Sequence, residues 1–397
     1  MKLRQLLFTL CFCTLLVNCV NAKDKMLVEK QHHNIKNFNT HFGKTIAEVN
    51  VGWESYGKLN DDKSNAILIT HFFTGNSHAA GVYSEDDEEP GYWDSIIGPG
   101  KAIDTDKFFV ISVDSLVNIS ANNPKVITTG PASINPATGK PYGLDFPVVT
   151  MRDFVNAQKS VLDSLGIEKL YAVAGPSMGS MQAIEWASAY PDKVERMISV
   201  IGSAGADAWT KALLDQWTWP IKSDPNWQQG NYYNEQQENY PVQGLTLALA
   251  LITQSALTPA FFNSVEDQLA KISKQQLASS VTQDTAIVKW LMERAGARAN
   301  QMDANHLLYL VRANQLFLTG MQSDLSSGLE RITAKTLFIT AKTDLLLMPY
   351  HAELAFNQLT SMNKDTQIVY IDGPLGHLEG VAGIQKAATE IKQFLQD

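Results

Sequence analysis

Short apolar runs separated by amphipathic stretches dominate the hydrophobic pattern of this chain. The runs are rich in β-branched residues and lie at 66–70, 108–113, 170–174, 197–201, 336–340 and 367–371. Runs of this length and composition are typical of strands buried on both faces, as in a parallel sheet. Amphipathic stretches such as 151–165 and 181–190 predict helices between them. The alternation therefore indicates an α/β fold with a mostly parallel central sheet and helices on both faces.

The alternation stops once, between residues 202 and 326. This stretch is rich in Gln, Ala, Leu and aromatic residues, and its texture predicts helices. An insertion between two sheet strands has the position of a cap over the site that the sheet carries, although a helical layer that only thickens the core would look the same. The predicted organisation is a core formed by 23–201 and 327–397, with a helical cap or lid formed by 202–326.

The first 22 residues predict a secretory signal peptide. Lys2 and Arg4 precede an apolar stretch from 6 to 16, and residues 20–22 form a small-residue cleavage site. The apolar stretch is short for a helix that spans a bilayer, so an uncleaved membrane anchor is the weaker alternative. We expect a secreted or periplasmic protein without stable membrane insertion after cleavage.

Composition removes several classes of function. The three cysteines, Cys11, Cys13 and Cys19, all fall inside the leader, so the mature chain is expected to have no cysteine nucleophile, thiolate metal site or disulfide. The formal net charge is −9 and no basic run is present, which argues against nucleic acid as a partner. The acidic run 85–89 is interpreted as a solvated surface loop rather than a metal site. No metal and no other cofactor is predicted.

The pentapeptide Gly175-Pro176-Ser177-Met178-Gly179 carries the strongest chemical signal. It follows the strand predicted at 170–174 and precedes a predicted helix. A Gly-x-Ser-x-Gly turn in this context is a nucleophile elbow, which exposes a serine hydroxyl above a parallel sheet. The glycines are required because a side chain at either position would collide with the neighbouring strand or helix. Ser177 is the candidate nucleophile.

Two further residues complete a candidate catalytic triad. On this kind of fold the acid and then the histidine follow the serine, each on the loop after a late strand. Asp344 follows the strand predicted at 336–340, and His377 follows the one at 367–371 and precedes a final helix expected from about 381 to 395. His377 would act as general base, and Asp344 would hold its imidazole in the productive tautomer. His351, in a predicted helix, is expected on the surface.

The oxyanion hole is predicted from two backbone N–H groups. One belongs to Met178, the residue after the nucleophile, and the other to the loop 71–75 that follows the first predicted strand. The alternative interpretation of that loop is an ordinary strand-to-helix turn.

Longer motifs resemble homoserine O-acetyltransferases. Together with Trp93-Asp94 and the elbow, they are IGPGKAIDTDKFFV at 97–110, TGPASINP at 129–136, GKPYGLDFP at 139–147, DPNW at 224–227 and DAN at 303–305. The resemblance implies an α/β-hydrolase fold with a helical cap, a covalent acyl-serine intermediate and a homodimer formed through cap helices. Position by position, it implies Ser177, Asp344 and His377 as the triad and Phe73 and Met178 as oxyanion donors.

Departures from the family pattern concern the substrate. An Asp that follows the catalytic His in the family is Leu378 here, and a cap Tyr-Arg pair aligns near Ala256-Leu257. A Tyr after the DAN motif is Leu307, and a glycine-rich run before Thr129 is replaced by the residues 117–124. A zwitterionic amino acid bound without these partners would have unpaired buried charges, at a cost of several kcal/mol each. This argues against homoserine as the acceptor.

The sequence thus predicts an exported serine esterase or acyltransferase that acts on a small-molecule ester or thioester. Two alternatives remain open: a true homoserine O-acetyltransferase that uses acetyl-CoA as acyl donor, and a non-catalytic binding protein on a hydrolase scaffold.

Overall fold

A computed structural model describes residues 25–233 and 240–397. The predicted signal peptide at 1–22 and its three cysteines lie outside the described residues. In the described part, no individual helix has the length and apolar composition that a bilayer span requires. The helices 242–256 and 259–266 meet that requirement only as a pair, and they are bent by 111° at their junction.

The strands of the sequence-based prediction are present, with boundaries shifted by one or two residues. The described strands are β1 (Gln31–Asn39), β2 (Thr45–Tyr56), β3 (Ala66–Ile69), β4 (Ile97–Gly98), β5 (Ile103–Asp104), β6 (Phe109–Val113), β7 (Ile134–Asn135), β8 (Lys140–Pro141), β9 (Ala172–Pro176), β10 (Arg196–Val200), β11 (Lys335–Ala341) and β12 (Thr366–Ile371).

One mixed sheet organises the described chain. Its strand order is β1-β2-β6-β3-β9-β10-β11-β12, and every neighbouring pair from β6 to β12 is parallel. The mostly parallel sheet predicted from the apolar runs is therefore confirmed. The carboxyl ends of β3, β9, β11 and β12 lie along one edge of the sheet, where ligands bind in open α/β folds.

The antiparallel strands β1 and β2 were not predicted. They pair with each other from Gln31↔Trp53 to Asn39↔Thr45, and β2 joins the sheet antiparallel to β6. Strand β1 is mostly polar and only partly buried, and β2 alternates between apolar and polar residues, so neither has the continuous apolar run by which the parallel strands were recognised.

Helices flank the sheet and fill the segment between β10 and β11. They are α1 (Met151–Ser164), α2 (Met178–Ala189), α3 (Ala208–Gln216), α4 (Trp219–Ser223), α5 (Val242–Ala256), α6 (Pro259–Glu266), α7 (Lys274–Ala278), α8 (Ala286–Ala299), α9 (Ala304–Gln315), α10 (Leu325–Glu330), α11 (Tyr350–Ser361) and α12 (Ala388–Gln396). Helices α3 to α9 fall within residues 202–326, the segment for which the sequence predicts helices.

Successive residues of the buried strands face two separate hydrophobic cores. In β3, Leu68 packs in the core that contains Phe154 of α1 and Ile184 of α2. Ile67 and Ile69 belong to the opposite core, which contains residues of α12. Because side chains alternate along a strand, an entirely apolar strand fills both cores at once. Helices therefore cover both faces of the sheet.

The C-terminal helix starts later than predicted. The expected range was about 381 to 395, whereas α12 begins at Ala388 after two short 3₁₀ turns, Gly376–Gly380 and Ile384–Ala387. Gly380 packs against the Ile201 side chain, and Gly383 lies against Glu379. These close approaches need glycine, which is a poor helix former, so the apolar pattern overstates the helix length.

Candidate active site

Ser177 occupies a strained turn between β9 and α2. Its backbone angles, φ 57° and ψ −121°, are unfavourable for a residue with a side chain. The Ser177 N–H donates to the Val200 carbonyl of β10 at 2.8 Å, which holds the turn against the sheet. A Cβ atom at Gly175 or Gly179 would overlap Thr70 at the end of β3. The glycine requirement predicted for this turn is thereby explained.

The structure brings the three predicted triad residues together. Ser177 Oγ lies 2.8 Å from His377 Nε2, and His377 Nδ1 lies 2.6 Å from Asp344 Oδ2. All three are buried, with exposures of 8% for Ser177, 4% for His377 and 2% for Asp344. Asp344 follows β11, and His377 lies in the first 3₁₀ turn after β12. The loops after three parallel strands thus converge on one hydrogen-bonded line.

Hydrogen bonding around Asp344 defines the tautomer of the histidine. Asp344 Oδ1 accepts the backbone N–H groups of Leu346 at 2.8 Å and Leu347 at 3.0 Å. Oδ2 therefore remains to accept the His377 Nδ1 proton, which leaves the Nε2 lone pair facing the serine hydroxyl. This is the arrangement that a general base requires.

The two predicted oxyanion donors lie beside this line. Within the described residues, neither the Phe73 nor the Met178 backbone N–H donates to a protein acceptor. The Met178 N–H is at the start of α2, where the helix dipole favours negative charge. The Phe73 side chain packs edge-on against Trp217, with 5.4 Å between ring centroids. Neither N–H group is therefore engaged by a described protein acceptor.

A cavity opens above Ser177, with about 640 Å³ of empty space when the solvent at its open mouth is included. Its lining comes from α2 and loops of the core and from α3, α5 and α9 of the insertion. The lining residues are Phe72, Phe73, Thr74, Ser177, Met181, Thr210, Leu214, Trp217, Ile252, Ala256, Asn314, Leu346, Leu347, His377, Leu378 and Val381. None of these described lining residues is Lys, Arg, Asp or Glu.

Comparison with known proteins agrees with this architecture. A family model described as alpha/beta hydrolase fold matches residues 67–379. A homoserine O-acetyltransferase from Methanococcoides burtonii is 36% identical over 354 residues, which cover 88% of this chain and 70% of that protein. The chain belongs to the homoserine O-acetyltransferase family of α/β hydrolases. The resemblance and the fold class predicted from the sequence are both confirmed.

Two solved structures refine the relationship. The crystal structure of esterase E22 has 61% sequence identity and a TM-score of 0.90, and the match covers 93% of this chain and 100% of the esterase. A homoserine O-acetyltransferase from Bacillus anthracis has 37% identity and a TM-score of 0.89, with coverage of 94% and 98%. This chain is thus an α/β-hydrolase enzyme with both esterases and acetyltransferases among its structural neighbours.

Two of the three apolar replacements noted in the sequence lie at the cavity. Leu378, directly after His377, and Ala256, at the end of α5, both line it. Leu307 is fully buried in the hydrophobic core around α9 and is not among the described lining residues. The apolar character predicted for the substrate site therefore rests on Leu378 and Ala256 rather than on Leu307.

His351 is buried, which contradicts the surface position expected for it. Its exposure is 3%, and its Nδ1 lies 3.3 Å from Ser203 Oγ. Helix α11 begins beneath the segment that enters α3, so Tyr350 takes the outer position and bonds Asp207 at 2.5 Å. Burial lowers the pKa of His351. The sequence pattern of α11 alone gives no information about this covering segment.

A buried polar cluster around Glu54 was not predicted from the sequence. Glu54 on β2 accepts hydrogen bonds from Lys30 at 2.7 Å, His78 at 2.9 Å and Tyr83 at 2.6 Å. Burial would raise the pKa of Glu54, but the His78 and Lys30 contacts outweigh it and lower that pKa to about 2. The cluster fixes the chain that continues from the loop 71–75.

No three His, Cys, Asp or Glu side chains in the described ranges form a group that could hold a metal ion.

Proposed function

We propose that this chain is a serine esterase that forms an acyl-Ser177 intermediate and transfers the acyl group to water. The observation that carries the proposal is the continuous hydrogen-bonded line from Ser177 through His377 to Asp344 at the floor of an apolar cavity. Labelling by a fluorophosphonate that is abolished in Ser177→Ala tests it, because only an activated serine reacts with this probe.

The chemistry follows from the geometry of the three side chains. His377 Nε2 takes the hydroxyl proton as Ser177 Oγ attacks the ester carbonyl, and the positive imidazole is stabilised by Asp344. The oxyanion of the tetrahedral intermediate accepts the Phe73 and Met178 N–H groups. Collapse breaks the bond to the alcohol, which leaves with the proton from His377. Water then attacks the acyl-serine while His377 Nε2 takes its proton. His377 returns that proton to Ser177 Oγ as the carboxylic acid leaves.

The cavity favours uncharged substrates. Its lining is apolar apart from Ser177, His377 and three residues with neutral polar side chains, Thr74, Thr210 and Asn314. An ammonium or carboxylate group would lose its hydration there without gaining a countercharge. We therefore propose neutral carboxylic esters as the substrate class.

Leu378→Asp tests this substrate class. We expect the variant to lose at least about tenfold in kcat/KM for p-nitrophenyl butyrate, because an unpaired carboxylate is introduced into an apolar lining. The kcat/KM for hydrolysis of O-acetylhomoserine, divided by that for p-nitrophenyl butyrate, is expected to rise. The carboxylate introduced at position 378 would pair with the ammonium group of O-acetylhomoserine. Steady-state kinetics with both esters measures the two changes.

Leu378→Met is the matched control, because it conserves volume and polarity and should stay close to the parent enzyme. An Asp variant with unchanged selectivity between the two esters would show that residue 378 does not face the bound substrate.

A genuine homoserine O-acetyltransferase is the second candidate, favoured by relatives of that name at about 36% identity. Incubation with acetyl-CoA and homoserine distinguishes the two functions by the product, O-acetylhomoserine or free acetate. The third alternative, a binding protein without catalysis, predicts no fluorophosphonate labelling at all.

We further propose that residues 202–326 form a lid over Ser177 and that the chain is exported after cleavage near residue 22. The lid proposal is supported by Thr210, Ile252 and Asn314, which line the cavity from three helices of this segment. The export proposal is supported by the basic, apolar and small-residue regions of the leader.

A homodimer formed through α5 is proposed from its outer face. Val242, Leu247 and Leu251 are 37–40% exposed on this helix. Leu247→Glu is expected to convert a dimer into a monomer, because a buried unpaired carboxylate destabilises an apolar interface. Sedimentation velocity measures the mass, with Gln393→Glu, on the exposed face of α12, as the charge-matched control. A parent protein that sediments as a monomer would contradict the proposal.

A further inference from the structure

His71 is a fully buried histidine whose tautomer is defined by its neighbours. The Ser115 backbone N–H donates to its Nε2 at 3.0 Å. A backbone N–H can only donate, so Nε2 is the acceptor and the ring proton is on Nδ1. Nδ1 then donates to the Phe72 carbonyl at 2.8 Å. Burial lowers the pKa of His71, which agrees with a neutral ring.

The Phe72 carbonyl belongs to the same peptide plane as the Phe73 N–H. That carbonyl also accepts the Gly75 N–H at 2.9 Å, so two donors hold it. Because a peptide unit is planar, fixing its carbonyl fixes the opposite direction of its N–H. His71 and Gly75 therefore determine where the Phe73 N–H points.

Asn118 holds both of these groups from the other side. Its Nδ2 donates to the Gly75 carbonyl at 3.0 Å and lies 3.3 Å from His71 Nε2. Its Oδ1 accepts the Ser120 N–H at 2.9 Å, which defines the orientation of the amide. The side chain is completely buried. Asn118 lies in the stretch 117–124, where the sequence departs from the family pattern.

The backbone of Asn118 contacts the insertion. Its carbonyl accepts His306 Nδ1 at 2.8 Å, and His306 Nε2 in turn accepts the Ala132 N–H at 3.2 Å. By the same reasoning as for His71, His306 is the neutral Nδ1–H tautomer. The Asp303 N–H donates to the Ile119 carbonyl at 2.8 Å, beside this contact. The first turn of α9 is thus docked directly on the loop that contains Asn118.

We propose that Asn118 is a positioning residue that ties the oxyanion loop 71–75 to helix α9 of the lid, so that the seat of the lid sets the direction of the Phe73 N–H. The inference rests on the proposed esterase function. Helix α9 also carries Asn314 at the cavity, so the same helix borders the substrate and, through His306 and Asn118, supports the oxyanion donor. A seated lid and an aligned donor are then one state of the enzyme.

Asn118→Ala tests the proposal in the intact protein. Complete loss of one oxyanion donor costs about 10²–10³-fold in kcat, so we expect a misaligned donor to lower kcat by about 10–100-fold. KM for p-nitrophenyl acetate should change little, because Asn118 is not part of the cavity lining. Affinity for a trifluoromethyl ketone, whose serine adduct places an oxyanion between the same donors, should fall by the same factor as kcat/KM.

Asn122→Ala is the matched control. Asn122 lies in the same loop, and its Nδ2 donates to the Met302 carbonyl of the insertion at 3.1 Å, whereas none of its described hydrogen bonds reaches the loop 71–75. We expect its kcat to stay within about twofold of the parent, as for most substitutions outside specific networks. A folded Asn118→Ala enzyme with parental kcat and parental inhibitor affinity would overturn the proposal.

His306 provides a second pair of variants from the lid side. His306→Asn places an amide donor where Nδ1 is now and should retain most of kcat, whereas His306→Ala should lose it. If Asn118→Ala does not fold, this pair tests whether the seat of α9 affects the Phe73 N–H. Equal kcat values for His306→Asn and His306→Ala would contradict the link between α9 and the oxyanion loop. An active Ser177→Ala enzyme would instead refute the esterase proposal itself, irrespective of these results.

Discussion

Replacing Ser177 with alanine is expected to lower kcat for p-nitrophenyl acetate by about 10⁵-fold or more, as for the nucleophiles of other serine hydrolases. Among the hydrogen bonds of the described residues, the Ser177 hydroxyl is the partner of His377 Nε2, at 2.8 Å. The substitution therefore removes the group that this imidazole can deprotonate. Initial rates with active-site-titrated enzyme measure the loss, and fluorophosphonate labelling should vanish in parallel.

Ser180→Ala is the control for this substitution. Ser180 lies one turn along in α2, is fully buried and bonds Ser199 Oγ at 2.6 Å rather than the histidine. Its loss should affect folding stability far more than the chemical step. Comparable activity in Ser177→Ala and the parent would mean that hydrolysis proceeds without an acyl-serine.

Asp344→Asn is expected to lower kcat by about 10⁴-fold while the fold is retained. The side-chain oxygen of the introduced asparagine can still accept the Leu346 and Leu347 N–H groups, so its NH₂ group would face His377 Nδ1. Two donors cannot face each other, and the imidazole would shift its proton to Nε2. In that tautomer it cannot accept the serine proton. Initial rates with p-nitrophenyl acetate, together with thermal unfolding, separate this effect from a loss of stability.

Asp372→Asn is the corresponding control, since Asp372 is an exposed carboxylate that pairs with Lys342 at 3.2 Å. Exposed pairs of this kind contribute little to stability. An Asp344→Asn enzyme with a kcat near that of the Asp372→Asn enzyme would show that the carboxylate does not control the histidine tautomer.

The parallel part of the fold could be predicted because burial on both faces leaves a direct mark on the sequence. The runs at 66–70 and 336–340 contain apolar residues at successive positions, and each became a strand that supplies both cores. Strand β1 could not be recognised in this way, because an exposed edge strand tolerates polar residues on either side. The start of α12 was misplaced for a different reason, namely that Gly380 and Gly383 are required by neighbours distant in sequence.

The residues of the candidate site also differ in how far the sequence predicts them. Ser177, Asp344 and His377 were identified because each follows a strand whose position the sequence reveals. Their support could not be predicted: His71, Asn118 and His306 are brought together by loops and by the docking of α9, and nothing in the spacing of these residues signals their contacts. His71 was included in the predicted oxyanion loop 71–75, but no role was predicted for its side chain. His351 illustrates the reverse error, since its burial depends on a covering segment more than a hundred residues earlier in the chain.

Trapping the acyl-enzyme tests whether Ser177 is the nucleophile. Rapid mixing with p-nitrophenyl acetate, an acid quench within the first turnover and peptide mapping by mass spectrometry would locate any acetyl group. Catalysis through an acyl-serine predicts one acetyl group, on the peptide that contains Ser177, appearing with the burst of nitrophenol and absent from Ser177→Ala. Turnover in which no peptide is acetylated, or in which the acetyl group is found on another residue, would contradict it.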